Sequence, residues 1–314
     1  MRDTVLFGDC RDTLSTLKAQ ITTGIAERPR MCVTSPPYYG LRDYGGEENQ
    51  IGMEQSPEEF VQELVSVFSK VRDVLTDDGT LWLNIGDSYY NYRSDGNYPQ
   101  QSVSKTRQDL PQSTPVRGNK LKGYKSKDLI GIPWMLAFAL RADGWYLRQD
   151  IIWHKPNPMP ESVKDRCTKS HEYIFLLSKS QKYYYDNEAI KEPAKDWGTR
   201  DRSKGKYHNP GTGLSPHSGL EKSYEKKNKR SVWSVTKKPY KGAHFATYPP
   251  ELIRPCILAG SERGDIVLDP FLGSGTTAMV AKDLGRSYIG CELNEDYASL
   301  QSARISTIPN KLPL

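Results

Sequence analysis

Apolar and polar positions alternate along this chain in blocks that change period. Thr4 to Phe7 reads as a short strand closing on Gly8-Asp9, and a mixed polar–apolar stretch from Asp12 to Ala19 predicts a helix. Met31-Cys32-Val33 is a second short strand, ended by Thr34-Ser35-Pro36-Pro37-Tyr38-Tyr39-Gly40, whose two prolines exclude a helix and stiffen the exit. Ser56-Pro57-Glu58-Glu59 has the form of a helix start, and Phe60, Leu64, Val67, Phe68, Val71 and Leu75 then recur at helical spacing. After the turn Asp77-Asp78-Gly79, Thr80 to Gly86 is a mostly apolar strand. Ile132 to Arg141 predicts a helix, Tyr146 to His154 and Glu172 to Leu177 predict strands, and Leu252, Ile253, Ile257 and Leu258 mark another helical stretch. The C-terminal part is a strand (Asp265–Leu268), a glycine-rich turn, a helix (Thr276–Leu284), a strand (Ser287–Gly290) and a helix (Asp296–Ile305). Strands alternating with helices imply βαβ units, so the predicted class is α/β with a doubly wound, mainly parallel sheet.

Two segments break the pattern. Residues 91–128 and 191–241 are poor in aliphatic side chains and rich in Lys, Gly and Ser. The first carries 8 Lys/Arg against 3 Asp/Glu and the second 14 against 5, so the +6 net charge hides an acidic body with two basic segments. That is the charge distribution of a protein that grips a polyanion, and equally that of two solvated loops. With 36% hydrophobic and 10% aromatic residues the 314-residue chain is globular. No apolar run reaches the ~18 residues of a membrane span, and the N-terminus turns polar too early for a signal peptide. Cys10, Cys32, Cys167, Cys256 and Cys291 are scattered, which fits a reducing cytoplasm and five small buried residues. His171-Glu172 has no further ligand at metal spacing, so no metal site is expected.

Asp269-Pro270-Phe271-Leu272-Gly273-Ser274-Gly275-Thr276-Thr277 lies between a strand and a helix. Glycines there let the backbone approach a ligand at a helix N-terminus, and the absence of a following lysine excludes a P-loop. The next strand ends on Glu292, an acid placed to accept two ribose hydroxyls. Together they suggest a cofactor containing adenosine.

These residues resemble the amino-group DNA methyltransferases that use S-adenosyl-L-methionine, in the permuted (beta) subgroup where the catalytic motif precedes the cofactor motif. TSPPY at 34–38 is similar to motif IV and LDPFLGSGTT at 268–277 to motif I. IGCE at 289–292 looks like motif II, LFGD at 6–9 like motif III and HFATYPPELI at 244–253 like motif X. Residues 151–179 resemble motifs VII and VIII. The resemblance implies a Rossmann-like class I methyltransferase fold, permuted, with an inserted basic target-recognition region. The catalytic and cofactor domain would span 1–90, 129–190 and 242–314, with an insertion at 91–128 and the target-recognition region at 191–241.

The resemblance also implies roles. Ser35 Oγ and the Pro36 carbonyl would accept from an exocyclic amino group, Pro37 would stiffen the corner, and Tyr38 would stack on a base taken out of the duplex. Asp9 would accept from the cofactor adenine with Cys10 beside it, and Glu292 would bind the ribose. Asp269, Phe271, Gly273, Ser274, Gly275, Thr276 and Thr277 would line the cofactor, with His244 and Thr247 near its methionine end. His154, Lys155 and Asn157 would shape the base pocket or cap a strand end. In the basic segment Arg200, Arg202, Lys204, Lys206, Lys226, Lys227, Lys229 and Arg230 would contact phosphates, with Trp197, Tyr207, Tyr224 and Trp233 interleaved among them. Serine before Pro-Pro-Tyr is the usual choice of N4-cytosine enzymes, with N6-adenine as the alternative. Pro255-Cys256 sits in an apolar helical stretch, which argues against C5-cytosine chemistry. Methylation of RNA or of a protein amide, or DNA binding with a dead cofactor site, are the remaining readings. The expected substrate is double-stranded DNA in a cytoplasm, with no membrane. A homodimer and a cognate restriction endonuclease are the partners the resemblance brings in.

Overall fold

The computed structural model describes residues 1–40, 50–90, 123–194, 225–237 and 248–308. The elements are β1 (Thr4–Phe7), α1 (Cys10–Thr22), β2 (Met31–Thr34), α2 (Pro57–Val74), β3 (Thr80–Ile85), α3 (Ile132–Ala142), β4 (Tyr146–His154) and β5 (His171–Ser178). Then come β6 (Glu192–Pro193), β7 (Lys226–Lys227), β8 (Val232–Ser234), α4 (Pro250–Gly260), β9 (Ile266–Asp269), α5 (Thr276–Asp283), β10 (Ser287–Glu292) and α6 (Ala298–Ser306).

Among the described residues eight strands form one sheet in the order β1-β10-β9-β2-β3-β5-β4-β8, and β6 pairs with β7 separately. Only β5 runs against its neighbours; the other contacts in the large sheet are parallel. Period-two alternation sorts the strand side chains into two apolar layers. Cys32, Leu81, Leu83, Phe175, Leu177 and Leu268 face α1, α2 and α3. Met31, Val33, Trp82, Ile174, Leu176 and Val267 face α4 and α5. Strands buried on both sides need no polar face, which is why β2 and β9 are nearly all apolar.

Local chemistry starts the helices where the sequence places them. Ser56 Oγ accepts from Glu59 N at 3.2 Å, with Pro57 in the first turn of α2. Asp9 caps α1, accepting from Arg11 N at 2.7 Å, so that helix begins two residues earlier than Asp12 and runs on to Thr22.

Adjacent strands β9 and β2 send their chains to opposite faces, β9 into α5 and β2 into α2. The connections therefore diverge there and leave a crevice at the carboxyl edge of the sheet, the place where open α/β sheets bind ligands.

The two basic segments both have closed stems. Tyr90 N donates to Asp128 O at 2.8 Å and Lys127 N to Tyr90 O at 2.8 Å, while Ala194 N donates to Glu225 O at 2.9 Å. The second segment is not all loop: β8 joins the main sheet in parallel with β4. Trp233 is consequently buried at 6% exposure, with Nε1 donating to Arg230 O at 2.6 Å. It belongs to the core and not to a DNA-facing row, because the sheet edge takes it up. Cys167 likewise departs from expectation: it is exposed, whereas the other four cysteines are buried.

Candidate active site

Four neighbouring strands, β1, β10, β9 and β2, bring their carboxyl ends to one edge. The register Phe7↔Glu292, Gly290↔Asp269 and Cys32↔Leu268 sets Asp9, Glu292, the 270–275 turn and Ser35 side by side. Parallel strands lie ~4.8 Å apart, so these groups span roughly 14 Å.

Asp269 ties the edge together. It is 1% exposed, and its Oδ1 accepts from Thr34 Oγ1 at 2.6 Å and from Phe271 N at 3.0 Å. Its Oδ2 accepts from Thr277 Oγ1 at 2.5 Å and Tyr248 OH at 3.1 Å, and Tyr248 OH also bonds Thr277 Oγ1. Burial raises the Asp269 pKa, and these donors pull it back. The residue just before Ser35 is thus fastened to the residue that begins the glycine turn, 235 positions away.

The turn is built for close approach. Gly273 and Gly275 adopt φ of +54° and +82°, conformations that L side chains rarely take. Gly273 N donates to Glu292 Oε2 at 2.7 Å, and Asn294 N donates to Oε1 at 2.9 Å. From α6, Gln301 Nε2 donates to Gly273 O at 2.7 Å and Arg304 Nη1 to Ser274 Oγ at 2.6 Å. Glu292 is 9% exposed, and burial raises its pKa against the backbone donors. A buried carboxylate fixed by backbone N–H groups keeps lone pairs for hydroxyl donors, so the residues fit a ribose.

Not every expected cofactor residue presents its side chain. Cys10 packs its thiol in the core, while Asp269, Ser274 and Thr277 engage theirs in internal bonds. Thr276 is buried and Phe271, partly exposed, meets Phe68 edge-on at 6.4 Å. At Asp9 burial raises the pKa, but the paired Arg11 guanidinium outweighs it and leaves the carboxyl below its usual range. His244 and Thr247 lie outside the described residues.

On the other side of the crevice, Ser35 is partly exposed and Pro36 buried. Tyr38 lines a small, shallow pocket with Tyr39, Ile85, Gly86, Asp87, Ser88 and Ile132. Asp87 Oδ1 accepts from Gly131 N at 3.0 Å and Ile132 N at 3.1 Å, capping α3. Tyr38 OH donates to Glu172 Oε2 at 2.7 Å, and Lys155 Nζ donates to Glu172 Oε1. Burial lowers Lys155 to about 8 even beside Glu172. His154 and Asn157 serve the neighbouring strand instead: His154 Nδ1 meets Ser234 Oγ at 3.0 Å, and the Asn157 amide bonds both backbone groups of Lys237.

Sequence reasoning missed Glu172, Asn84, Thr34 and Tyr248. For Asn84 and Glu172 the available signal was a polar residue inside an otherwise apolar strand, as in Thr80-Leu-Trp-Leu-Asn84-Ile and His171-Glu172-Tyr-Ile-Phe-Leu-Leu.

The DNA methylase family of N6/N4 methyltransferases matches residues 30–303. The chain belongs to this family. It is 51% identical over 276 residues to the type II methyltransferase M.XycI of Xanthomonas campestris pv. cyanopsidis, covering 88% of this chain and 81% of that protein. It is 48% identical over 301 residues to the type II methyltransferase M.SmaI of Serratia marcescens, covering 96% and 90%. By fold it is similar to the PvuII cytosine-N4-specific DNA methyltransferase (TM-score 0.60, 16% identity, covering 100% of this chain and 89% of that one). A putative DNA modification methylase of Thermus thermophilus, solved with S-adenosyl-L-methionine, has a TM-score of 0.58 at 22% identity, covering 98% and 94%. This chain is a DNA methyltransferase of the N6/N4 family, and the relatives named above are type II methyltransferases.

Of the expected phosphate contacts, Arg200, Arg202, Lys204 and Lys206 lie outside the described residues, as do Trp197, Tyr207 and Tyr224. Lys226 and Lys227 form β7. Lys229 and Arg230 have a partner already: both pair with Glu192, at 3.6 and 3.1 Å, and Lys229 Nζ sits 5.0 Å above the Trp233 ring. Among the described residues no cluster of metal-ligating side chains occurs, and no helix is long and apolar enough to cross a membrane.

Proposed function

We propose that this methyltransferase places its methyl group on the exocyclic N4 of a cytosine flipped out of double-stranded DNA. The observation that carries the reading is Ser35-Pro36-Pro37-Tyr38 at the sheet crevice, bound through Thr34 and Asp269 to the glycine turn. When bound, S-adenosyl-L-methionine supplies a methyl group on a sulfonium. Glu292 and Asp9 would hold its ribose and adenine, and the 271–277 turn would hold its amino-acid end.

An exocyclic amino nitrogen is a poor nucleophile because its lone pair is delocalised into the ring. Ser35 Oγ and the Pro36 carbonyl accept hydrogen bonds from its two N–H groups, draw the nitrogen toward tetrahedral geometry and stabilise the positive charge that develops on it, until one of those protons is released to solvent and a neutral methylamino group remains. The proline corner holds both acceptors in place, so little reorganisation is needed as the reaction proceeds. Tyr38 offers a face to the extruded base. Serine at the head of this motif supports cytosine through the family resemblance; N6 of adenine is the second reading, since either base presents an NH2 group to the same acceptors. The excess of Lys and Arg in segments 91–128 and 191–241 supplies phosphate contacts.

The test is product chemistry. Unmethylated plasmid DNA is incubated with the purified protein and methyl-deuterated cofactor, digested to nucleosides and analysed by mass spectrometry. Labelled N4-methylcytosine is expected. Labelled N6-methyladenine as the sole product would overturn the base assignment.

A further inference from the structure

A buried ion pair stands behind the motif tyrosine, and the methyl-transfer chemistry described above does not use it. Glu172, at the start of β5, lies opposite Trp153 of β4 in the antiparallel register. Its side chain is 13% exposed and that of Lys155 is 9% exposed, and the two are in direct contact. The Lys155 ammonium also lies 4.4 Å from the centroid of the Trp153 ring. The second oxygen of Glu172 accepts from Tyr38 OH at 2.7 Å and from Asn84 Nδ2 at 3.3 Å, and Asn84 Nδ2 donates to Tyr173 O at 3.1 Å. Three strands and the motif corner thus converge on one carboxylate.

The tyrosine ring is also held on its flank. A Cβ at Gly86 would come within 2.8 Å of Tyr38 Cε2 and 3.3 Å of Glu172 Cγ. Gly86 has no positive φ, so it is the nearness of the ring and of Glu172 that leaves no room for a side chain there.

Burying a lysine and a glutamate costs several kcal/mol per ion before their attraction is counted, and an apolar pair of the same volume would serve the fold as well or better. What an apolar pair cannot do is accept a hydrogen bond from a phenol at a fixed point. We propose that Glu172, held by Lys155, is a positioning residue for methyl transfer, which fixes the Tyr38 ring in the orientation that receives the extruded base. This rests on the reading that Tyr38 stacks on that base. A ring pinned at both its hydroxyl and its edge is already oriented when the base arrives. A ring free to rotate has to be ordered at that moment, and the reaction is slower for it.

The experiment uses the full-length protein, a duplex carrying its mapped target, and Tyr38→Phe, Glu172→Gln, Glu172→Ala and the double variant Tyr38→Phe/Glu172→Ala. Single-turnover transfer is measured at saturating DNA and cofactor, along with cofactor affinity, thermal midpoint and the fluorescence of 2-aminopurine at the target base. We expect Tyr38→Phe and Glu172→Ala each to slow transfer about tenfold or more, with cofactor affinity within twofold of wild type. The double variant should be no slower than the slower single, because both remove the same contact. Glu172→Gln, which keeps an acceptor for the phenol, should retain more activity than Glu172→Ala. The 2-aminopurine probe, quenched by stacking in the wild-type complex, should brighten in Glu172→Ala.

Tyr38→Phe is a partly exposed, ring-preserving change that keeps the test valid even where Glu172→Ala folds poorly. Wild-type rates in Tyr38→Phe, or losses that multiply in the double variant, would overturn the brace. A separate control tests the stacking reading itself: Tyr38→Ala with unaltered transfer and unaltered probe fluorescence would refute that reading independently of the brace.

Discussion

Replacing Thr34 by valine cuts the link between the catalytic corner and the glycine turn while changing one atom. The Thr34 hydroxyl is fully buried and lies 2.6 Å from Asp269 Oδ1. A hydrogen bond to a charged group contributes about 1.5–3 kcal/mol, and losing it leaves a buried carboxylate short of a donor. The methyl that replaces the hydroxyl also needs roughly 3.3–3.6 Å from an oxygen, so Asp269 and the corner must separate by most of an ångström. Overpacking on that scale adds cost, giving a total loss of about 2–4 kcal/mol at pH 7.5. Thr34→Ser is the control: it keeps the hydroxyl and deletes a methyl group, at about 1 kcal/mol. Urea unfolding followed by tryptophan fluorescence measures both, and single-turnover transfer shows whether the displaced corner also slows the reaction.

The pH dependence has a definite sign. The Thr34 bond favours ionised Asp269, whose folded pKa lies above its ordinary value because of burial, so the cost of Thr34→Val should be greatest well above that pKa and shrink as acid protonates Asp269. A loss under about 0.5 kcal/mol, or Thr34→Ser as damaging as Thr34→Val, would refute the reasoning.

Gly290→Ala would put a Cβ 2.5 Å from Leu272 Cδ2 and 3.0 Å from its Cγ, displacing the residue that leads into Gly273; a stability loss of about 1–3 kcal/mol and roughly tenfold weaker cofactor binding are expected, measured by urea unfolding and equilibrium dialysis. Lys155→Met separates wild type and variant with pH: because folded Lys155 loses its proton near 8 while the unfolded chain keeps it to the ordinary lysine range, wild type should gain stability relative to the variant as pH rises above about 8, read from urea midpoints. Trp233→Ala should cost about 3 kcal/mol of stability as a core truncation; an unchanged midpoint with weakened DNA binding would return Trp233 to the DNA surface.

Features carried by neighbouring residues were legible in the chain. Ser56-Pro57 announces α2 because the cap and the first turn are neighbours, and the glycine turn with Glu292 reads as a cofactor site because both belong to one strand–turn–helix–strand unit. The catalytic corner is legible for the same reason, its prolines being adjacent. What could not be read is pairing between distant segments. Asp269 meets Thr34 across 235 positions and Glu172 meets Tyr38 across 134, and only the strand order sets them face to face. A three-residue strand such as β8 carries too little periodicity to stand out, so Trp233 looked like one more aromatic among lysines. Charge counting marked Lys229 and Arg230 as basic but could not show that Glu192 pairs with both.

Ser35→Ala tests the central claim most directly, by comparing single-turnover methyl transfer to DNA with cofactor affinity in the same preparation. Removing one preorganised acceptor at the reacting nitrogen should slow transfer about 10²–10³-fold while the affinity for S-adenosyl-L-methionine stays within about twofold. A variant that transfers methyl groups at the wild-type rate, or one whose cofactor affinity falls as far as its rate, would contradict the assignment of Ser35 to the chemistry.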